Sequence, residues 1–433
     1  MFPTVWYSRS RLQGGEFGLF RTYDIRGVFG KEITAEGFFA LGKALEKFSK
    51  TIVVGMDYRR NNDLLAAALL DGFGGEEAFQ GFAPTPATAF NSQALGASLT
   101  ASHNPPEYNG LKPLKLKRCF YGDELSQLKK EFDRVSEKLP KTARANGVSP
   151  SRKADPALLD SYLDSLPEFG SAVFDLAGGA VCSIARAFPK TIFSQPDPMF
   201  VRHSPEPTPG ALSVLASETR KTPSLGFAFD GDGDRCIAVD SGKIVDSGAA
   251  TAFFASNFLK KGSRIILTLD VQDEVFVFLR DSGFSVEYSP VGDIFVLKKA
   301  EETNADFAAE KAGHYSVFKH MPYSDGVYFA AALSQAKPGE LNEFAAQFKN
   351  VFLSENIPNA AVDFARLAEL AKSGNAERVE TIDGVKAAFE DYTFLIRSSN
   401  TQPLVRVSVE AKSRERGLEG LAAAKRLLAE CKA

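Results

Sequence analysis

Residues 226–239 read GFAFDGDGDRCIAV, in which two apolar runs flank a loop of alternating aspartate and glycine. The runs 226–229 and 236–239 predict short strands. The three aspartates are Asp230, Asp232 and Asp234. Glycines between them allow tight turns, so several carboxylate oxygens can face one point, as Mg²⁺ or Ca²⁺ requires. An acidic hairpin turn is the alternative. An EF-hand is excluded because Arg235 and Ser241 stand where that loop needs glycine and glutamate.

Around this loop, short β-branched runs alternate with helical stretches over the first three-quarters of the chain. Residues 51–55 predict a buried strand, and residues 62–72 predict a helix after an asparagine cap. Residues 96–100 and 264–269 predict further strands. Alternation of this kind predicts an α/β fold with largely parallel sheets.

The C-terminal part has a different pattern. Residues 394–396 and 404–409 predict strands, and an amphipathic helix begins at about Arg414. These elements predict a small α+β domain. Polar or turn-rich stretches at 138–155, 240–247 and 357–359 predict the other boundaries. The four predicted domains are residues 1–150, 151–246, 247–357 and 358–433.

Composition excludes several classes of protein. The 433 residues include 51 Lys and Arg against 54 Asp and Glu, a net charge of −3, which argues against a nucleic-acid partner. No apolar run reaches the roughly 18 residues of a membrane span. The four cysteines form no CxxC pair, which argues against a disulfide framework or zinc site. We therefore expect a cytoplasmic protein of several domains.

A second motif, Thr100-Ala101-Ser102-His103-Asn104-Pro105-Pro106, follows the strand predicted at 96–100. Active sites of α/β proteins lie where strands end. No Gly-x-Ser-x-Gly elbow is present, which disfavours an acyl-transfer hydrolase. A serine that carries phosphate beside Mg²⁺ would be a phosphoryl donor. Ordinary turn chemistry is the alternative.

Two further loops have binding potential. Residues 310–314 read EKAGH, in which Glu310 could bind sugar hydroxyls, although a charged surface loop is equally compatible. Residues 397–403 read RSSNTQP, with Arg406 three residues later. Two guanidiniums among hydroxyls and an amide can surround a phosphate dianion. The alternative is a polar loop with an ordinary arginine. No P-loop is present, so nucleotide hydrolysis has no motif.

Taken in order, these segments and Phe20–Gly27 (FRTYDIRG) resemble the α-D-phosphohexomutase family, above all its phosphomannomutase/phosphoglucomutase branch. The resemblance extends from Phe20 to about Glu410. It implies three similar α/β domains and a TBP-like α+β domain in a four-domain, heart-shaped architecture. It also implies an isomerase that shifts a phosphoryl group between O1 and O6 of a hexose through a phosphoserine. Mg²⁺ and a hexose 1,6-bisphosphate activator would be the cofactors.

The resemblance assigns roles to individual residues. Ser102 would be the phosphoserine and fourth metal ligand beside the three aspartates. Lys112 would be the general acid/base, with His103, Arg26 and Arg235 completing the catalytic set. The substrate-binding residues would be Tyr23, Glu310, His314, Arg397, Ser399, Asn400, Thr401 and Arg406.

Three departures from the family bear on substrate preference. Ala312 replaces the usual serine, Gln402 replaces the usual glutamate, and Pro290 stands where some relatives have a basic residue. The expected partners are hexose phosphates, with the chain a monomer or homodimer. Open alternatives are a phosphoglucosamine mutase, disfavoured by Asn400 where that branch usually has glycine, another sugar-phosphate mutase, a metal-dependent phosphatase, and a non-catalytic sugar-phosphate sensor.

Overall fold

The computed structural model describes residues 19–21, 24–139, 152–358, 361–399 and 404–431. The first of two compact units contains the residues up to Ile244 and Tyr315–Gly339, and the second contains Val245–His314 and the residues from Glu340. Among the expected site residues, Tyr23, Asn400 and Thr401 lie outside the described residues, as does Gln402.

The first sheet lies in the first unit. Its strands are β1 (Ile25–Val28), β2 (Thr51–Met56), β3 (Glu76–Phe82), β4 (Leu95–Leu99), β5 (Tyr108–Lys115) and β6 (Arg118–Cys119). The order is β1-β5-β4-β2-β3, with β6 beside β5. Strand β2 is parallel to β3 and β4, whereas β5 is antiparallel to β4 and β1. Strands β2, β3 and β4 therefore all end at one edge of the sheet, and the loop that begins at Thr100 lies at that edge.

Four helices accompany this sheet. They are α1 (Ala35–Leu45), α2 (Asn62–Gly72), α3 (Thr85–Asn91) and α4 (Gly122–Lys138). Helix α1 begins where the Thr34 side chain accepts the Gly37 N–H, and it buries Phe38 and Leu41 against the sheet core. The strand and helix predicted at 51–55 and 62–72 are confirmed.

The second sheet holds the aspartate loop. Its strands are β7 (Ala172–Asp175), β8 (Thr191–Ile192), β9 (Leu225–Phe229), β10 (Cys236–Asp240) and β11 (Lys243–Ile244), in the order β11-β10-β9-β7-β8. Helix α6 (Ser213–Lys221) packs against this sheet, whereas α5 (Pro156–Leu163) packs against α3 and β3 of the first sheet. Between β7 and β8 the chain forms only a 3₁₀ helix, Ala180–Ala187. Strands β9 and β10 pair antiparallel, so the Asp/Gly loop is the connection of a hairpin.

In the second unit, the third sheet has three strands that are parallel to one another. The elements are α7 (Ser247–Phe258), β12 (Arg264–Thr268), α8 (Asp273–Asp281), β13 (Ser285–Ser289), α9 (Asp293–Glu302) and β14 (Phe307–Ala309). Strand β12 lies between β13 and β14. The following segment returns to the first unit with β15 (Tyr315–Val317) and α10 (Gly326–Leu333), and α10 packs against β9 and β10.

The tail sheet is wholly antiparallel. Its elements are α11 (Glu340–Ala345), β16 (Val351–Pro358), α12 (Phe364–Ser373), β17 (Arg378–Glu380), β18 (Val385–Ala388), β19 (Tyr392–Ser398), β20 (Leu404–Ala411) and α13 (Arg414–Glu430). The order is β16-β20-β19-β18-β17. Strand β16 pairs with β20 along its whole length, and Pro358, where the fourth domain was predicted to begin, is its last residue. The four domain limits remain predictions. Among the described residues, every helix is too short or too polar to cross a bilayer.

A buried polar cluster connects the third and tail sheets within the second unit. The Asp273 carboxylate accepts hydrogen bonds from the Tyr288 hydroxyl (2.7 Å) and Arg378 (2.8 Å), and Lys386 Nζ lies 2.7 Å from it. Although burial alone would raise it, Lys386 and Arg378 lower the pKa of the Asp273 carboxyl. Glu410 of β20 accepts the Asp273 N–H at the start of α8 (2.7 Å).

Candidate active site

The serine loop begins directly after β4. Ser102 is 2% exposed and has a φ of 49°, a left-handed conformation unusual for a residue with a side chain. Its N–H donates to Thr100 Oγ1 (2.8 Å), and its hydroxyl donates to Asp230 Oδ2 (2.9 Å). His103 Nδ1 lies 3.2 Å from the same hydroxyl. The serine and aspartate loops therefore meet at the Ser102 side chain.

The aspartate loop folds back on itself. Asp230 Oδ1 accepts the N–H groups of Gly233 (3.0 Å) and Arg235 (3.3 Å), and Gly233 has a φ of 81°. A Cβ atom at Gly231 would collide with the carbonyl oxygen of Ser102. The glycines therefore serve both the tight turn and the close approach of the two loops.

The three aspartates are fully buried, and one oxygen from each lies within 4.8 Å of the others. Lys112 Nζ contacts Asp232 Oδ2 (2.7 Å) and Asp234 Oδ2 (2.6 Å). Asp232 Oδ1 is buried without a hydrogen-bond partner among the described residues. Burial and the other two aspartates raise the pKa of Asp230 to about 7. Converging, partly unpartnered carboxylate oxygens fit a hard divalent cation such as Mg²⁺.

The other residues expected at this site are also here. Arg26 of β1 donates to Asn104 Oδ1 (2.7 Å) and to the Ala101 carbonyl (3.2 Å), so it holds the serine loop from one side. Burial first, and then the positive charges of Arg235, Arg26 and Lys112, strongly lower the pKa of His103, so its imidazole is neutral.

Sequence reasoning missed three residues. Thr85, at the start of α3, donates its hydroxyl to Asp232 Oδ2 (2.7 Å). Asp57 and Arg59 follow β2, with Asp57 Oδ2 3.3 Å from Arg59 Nε. Burial raises the pKa of Asp57 to about 6 against the lowering effect of Arg59. Their position just after a parallel strand was the available signal, because β2 and β4 end at the same edge.

The expected sugar loop lies in the second unit. Glu310 and His314 are each 6% exposed, and His314 Nδ1 is 2.6 Å from Glu310 Oε2. Gly313, with a φ of 92°, makes the turn that places both side chains on one side. Glu310 and His314 are therefore already paired within this loop, and His314 orients the Glu310 carboxylate.

The expected phosphate loop joins β19 to β20. Arg397 and Arg406 stand directly opposite each other on these strands. Arg397 is 6% exposed, and Arg406 Nε donates to Asn356 Oδ1 (3.2 Å). The Ser399 N–H donates to the Leu404 carbonyl (2.9 Å) and closes the loop at its base. Arg397 also lies 3.8 Å from the Asp383 carboxylate. The two arginines place positive charge at the base of this loop, a charge that suits a phosphate dianion.

Comparison with known families identifies the chain. Four models of the phosphoglucomutase/phosphomannomutase family match it in order: α/β/α domain I at 18–138, domain II at 179–243, domain III at 247–349 and the C-terminal domain at 353–426. The chain belongs to the phosphoglucomutase/phosphomannomutase family. It therefore has the four-domain architecture that the resemblance implied, and it is an enzyme of the phosphohexomutase type.

Relatives of this family match the chain over nearly its full length. The phosphoglucosamine mutase of Thermotoga maritima is 30% identical over 92% of this chain and 95% of its own. The "Probable phosphoglucosamine mutase" of Thermococcus kodakarensis is 29% identical over 94% and 98%. The crystal structure of a phosphoglucomutase/phosphomannomutase family protein from Burkholderia thailandensis is 26% identical over 95% and 96%, with a TM-score of 0.79.

Proposed function

We propose that the chain transfers a phosphoryl group reversibly between O1 and O6 of a hexose phosphate, with Ser102 as the phosphoryl carrier. The observation that supports this is the contact of the Ser102 hydroxyl with Asp230, 2.9 Å away inside a buried three-aspartate cluster. Phosphoryl transfer depends on positioning and on neutralised charge more than on covalent chemistry. A buried serine beside convergent carboxylates that fit a cation meets both needs.

The reaction has two transfers. In the first, the bond from phosphorus to Ser102 Oγ breaks while a bond to the free sugar hydroxyl forms, and the hydroxyl proton leaves. The product is a hexose 1,6-bisphosphate. After it reorients, Ser102 Oγ takes the other phosphoryl group and the sugar oxygen regains a proton. The same hexose 1,6-bisphosphate would restore phosphate to an enzyme that has lost it.

Mg²⁺ bound by Asp230, Asp232, Asp234 and phospho-Ser102 would neutralise charge on the transferring group. Lys112, whose Nζ contacts two of these aspartates, would move the hydroxyl proton. His103 Nδ1 lies 3.2 Å from the Ser102 hydroxyl and would help to orient it.

Binding of the sugar is assigned to residues of the second unit. Glu310, held by His314, would accept hydrogen bonds from ring hydroxyls. Arg397 and Arg406, with Ser399, Asn400 and Thr401, would hold the phosphate that is not being transferred. Two arginines at paired strand positions are suited to this task because each can donate charge-assisted hydrogen bonds to a phosphate dianion. Tyr23 would contribute from the N-terminal segment.

For the sugar, we propose mannose and glucose phosphates as the main substrates, because the phosphate loop has Asn400 instead of the glycine usual in the phosphoglucosamine branch. Glucosamine phosphate is the second candidate. It is favoured by the names of the Thermotoga and Thermococcus relatives. The two candidates differ only at C2 of the ring, so one set of assays separates them.

The experiment measures conversion of mannose 1-phosphate, glucose 1-phosphate and glucosamine 1-phosphate to their 6-phosphates, with Mg²⁺ and a trace of glucose 1,6-bisphosphate. Free phosphate is followed in parallel. Higher kcat/KM for the first two, without phosphate release, supports the proposal. A higher kcat/KM for glucosamine 1-phosphate would support the second candidate, a glucosamine phosphate substrate. Steady phosphate release would identify a phosphatase, and binding without turnover would identify a sensor.

A further inference from the structure

The guanidinium of Arg59 is buried beneath the serine loop, at 3% exposure. It donates to four backbone carbonyls of that loop. The acceptors are Ser102 O (2.7 Å), Asn104 O (2.6 Å), Pro105 O (2.7 Å) and Tyr108 O (3.1 Å). One side chain therefore fixes the backbone from the serine to the start of β5.

Asp57 and Thr100 hold the N-terminal side of the loop by further hydrogen bonds. Asp57 Oδ2 lies 3.3 Å from Arg59 Nε and accepts the Thr100 hydroxyl (2.6 Å). The same hydroxyl oxygen accepts the Ser102 N–H (2.8 Å). Asn62 donates to Asp57 Oδ1 (2.6 Å) and holds the carboxylate in place. Asp57 thus aligns Arg59 and anchors the backbone at Ser102.

This scaffold holds a conformation that the loop would not keep alone. Ser102 has a φ of 49°, in the left-handed region that residues with a Cβ avoid. Only a planar, five-donor guanidinium can satisfy four carbonyls that converge from one side; an ammonium has three donors on one atom. In the left-handed conformation the Ser102 hydroxyl reaches Asp230.

We propose that Arg59, aligned by Asp57, is a positioning residue for phosphoryl transfer: it holds the Ser102 turn in the geometry that directs Oγ at the aspartate cluster. The inference rests on the proposed function insofar as Ser102 is the phosphoryl carrier. Arg59 acts through the backbone of the loop, and its side chain is assigned no contact with the sugar.

The test compares Arg59→Lys with Arg118→Lys. Arg118, on β6 of the same sheet, is a suitable control because it also bonds a backbone carbonyl, that of Cys119, and a carboxylate, that of Glu124 in α4. We expect Arg59→Lys to lower kcat about a hundredfold, the effect of a misplacement near 1 Å, with KM changed less than about threefold. Amide hydrogen exchange should accelerate in residues 101–108 of this variant and stay unchanged in the control.

Every outcome decides the inference. A folded Arg59→Lys protein with wild-type kcat and unchanged exchange at 101–108 would overturn it, as would an equal loss in Arg118→Lys. If Arg59→Lys does not fold, Asp57→Asn is measured instead. We expect this variant to lower kcat about tenfold and to accelerate amide hydrogen exchange in residues 101–108. If the wild type has no mutase activity, the proposed function fails, whereas the exchange measurement still decides whether Arg59 holds the loop.

Discussion

The Ser102 hydroxyl donates to Asp230 Oδ2 across 2.9 Å, although 128 residues separate the two in the chain. Each loop is held by its own sheet, Ser102 after β4 and Asp230 after β9. The contact therefore joins loops from two different sheets of the first unit. The predictions below test what depends on it.

Replacing Ser102 with alanine should abolish mutase turnover by at least about a thousandfold, because the phosphoryl carrier is lost. Binding of glucose 6-phosphate, measured by calorimetry, should stay within about threefold, since the sugar-binding residues are assigned elsewhere. Ser126→Ala, on the exposed face of α4, is the matched control. Loss of binding together with turnover would argue against the carrier role.

Gly231→Ala should harm both catalysis and stability. The new Cβ would collide with the Ser102 carbonyl oxygen, and the serine loop must shift. We expect kcat to fall about 10- to 100-fold and the free energy of unfolding to fall by about 1–3 kcal/mol. At Gly210 the nearest atom to a new Cβ is 4.0 Å away, so Gly210→Ala should be neutral in both assays. Equal effects of the two variants would contradict the close approach.

The effect of Mg²⁺ should depend on pH through Asp230, whose pKa is raised to about 7. In the unfolded chain, this carboxyl has its ordinary pKa of about 4. Without a cation, between about pH 4 and about pH 7, it is therefore protonated in the folded protein but ionised in the unfolded chain. Its contribution to stability is therefore present at low pH and lost as pH rises through about 7. Mg²⁺ competes with that proton. The rise in Tm on adding Mg²⁺ should be larger at about pH 8 than at about pH 6.

Asp230→Asn should remove most of that rise at both pH values. An equal rise in Tm on adding Mg²⁺ at about pH 6 and at about pH 8 would contradict a raised pKa of Asp230. Chelation of the metal should also abolish mutase turnover, and added Mg²⁺ should restore it.

Lys386→Met should destabilise the second unit by about 3 kcal/mol, because it leaves the Asp273 carboxylate without its buried ammonium partner. Chemical denaturation measures the change. Lys425→Met, which removes an exposed partner of Glu355, should cost less than about 1 kcal/mol. In the double variant Asp273→Asn, Lys386→Met the loss should be smaller than the sum of the single losses. Strict additivity would mean that the pair does not interact.

Arg406→Gln should weaken the binding of glucose 6-phosphate without lowering the stability of the free protein. Removing one of two opposed guanidiniums should leave the Tm of the free protein unchanged or higher. Affinity for glucose 6-phosphate should fall about 10- to 100-fold, as expected for a lost hydrogen bond to a charged group. Arg416→Gln, on the exposed side of α13, serves as control. Unchanged affinity would remove Arg406 from the phosphate site.

The loops that carry chemistry could be predicted because their signals are local. Asp/Gly alternation between two apolar runs, and a serine at the end of a strand, are visible within a few residues. The same holds for α2, whose bounds match the prediction. Antiparallel pairings such as that of β1 with β5 were less predictable, since they join residues distant in the chain.

The supporting residues were missed for the same reason. Thr85 donates to Asp232, 147 residues away, and Arg59 donates to the carbonyl of Ser102, 43 residues later. Nothing near Thr85 in the sequence distinguishes it from an ordinary helix start. Their roles exist only after the sheets have formed and brought their edges together.

The separation of Ser102 from Asp230 also bears on the protein's synthesis. Ribosomes add roughly 5–20 residues each second, so the serine emerges about 6 to 26 seconds before its aspartate partner. During that interval the nascent chain has the serine loop but no site to accept a cation or a phosphoryl group. On the proposed mechanism, phosphate would be loaded onto Ser102 only after β9 and β10 have formed their hairpin, so a phosphorylated serine would mark a chain that has folded.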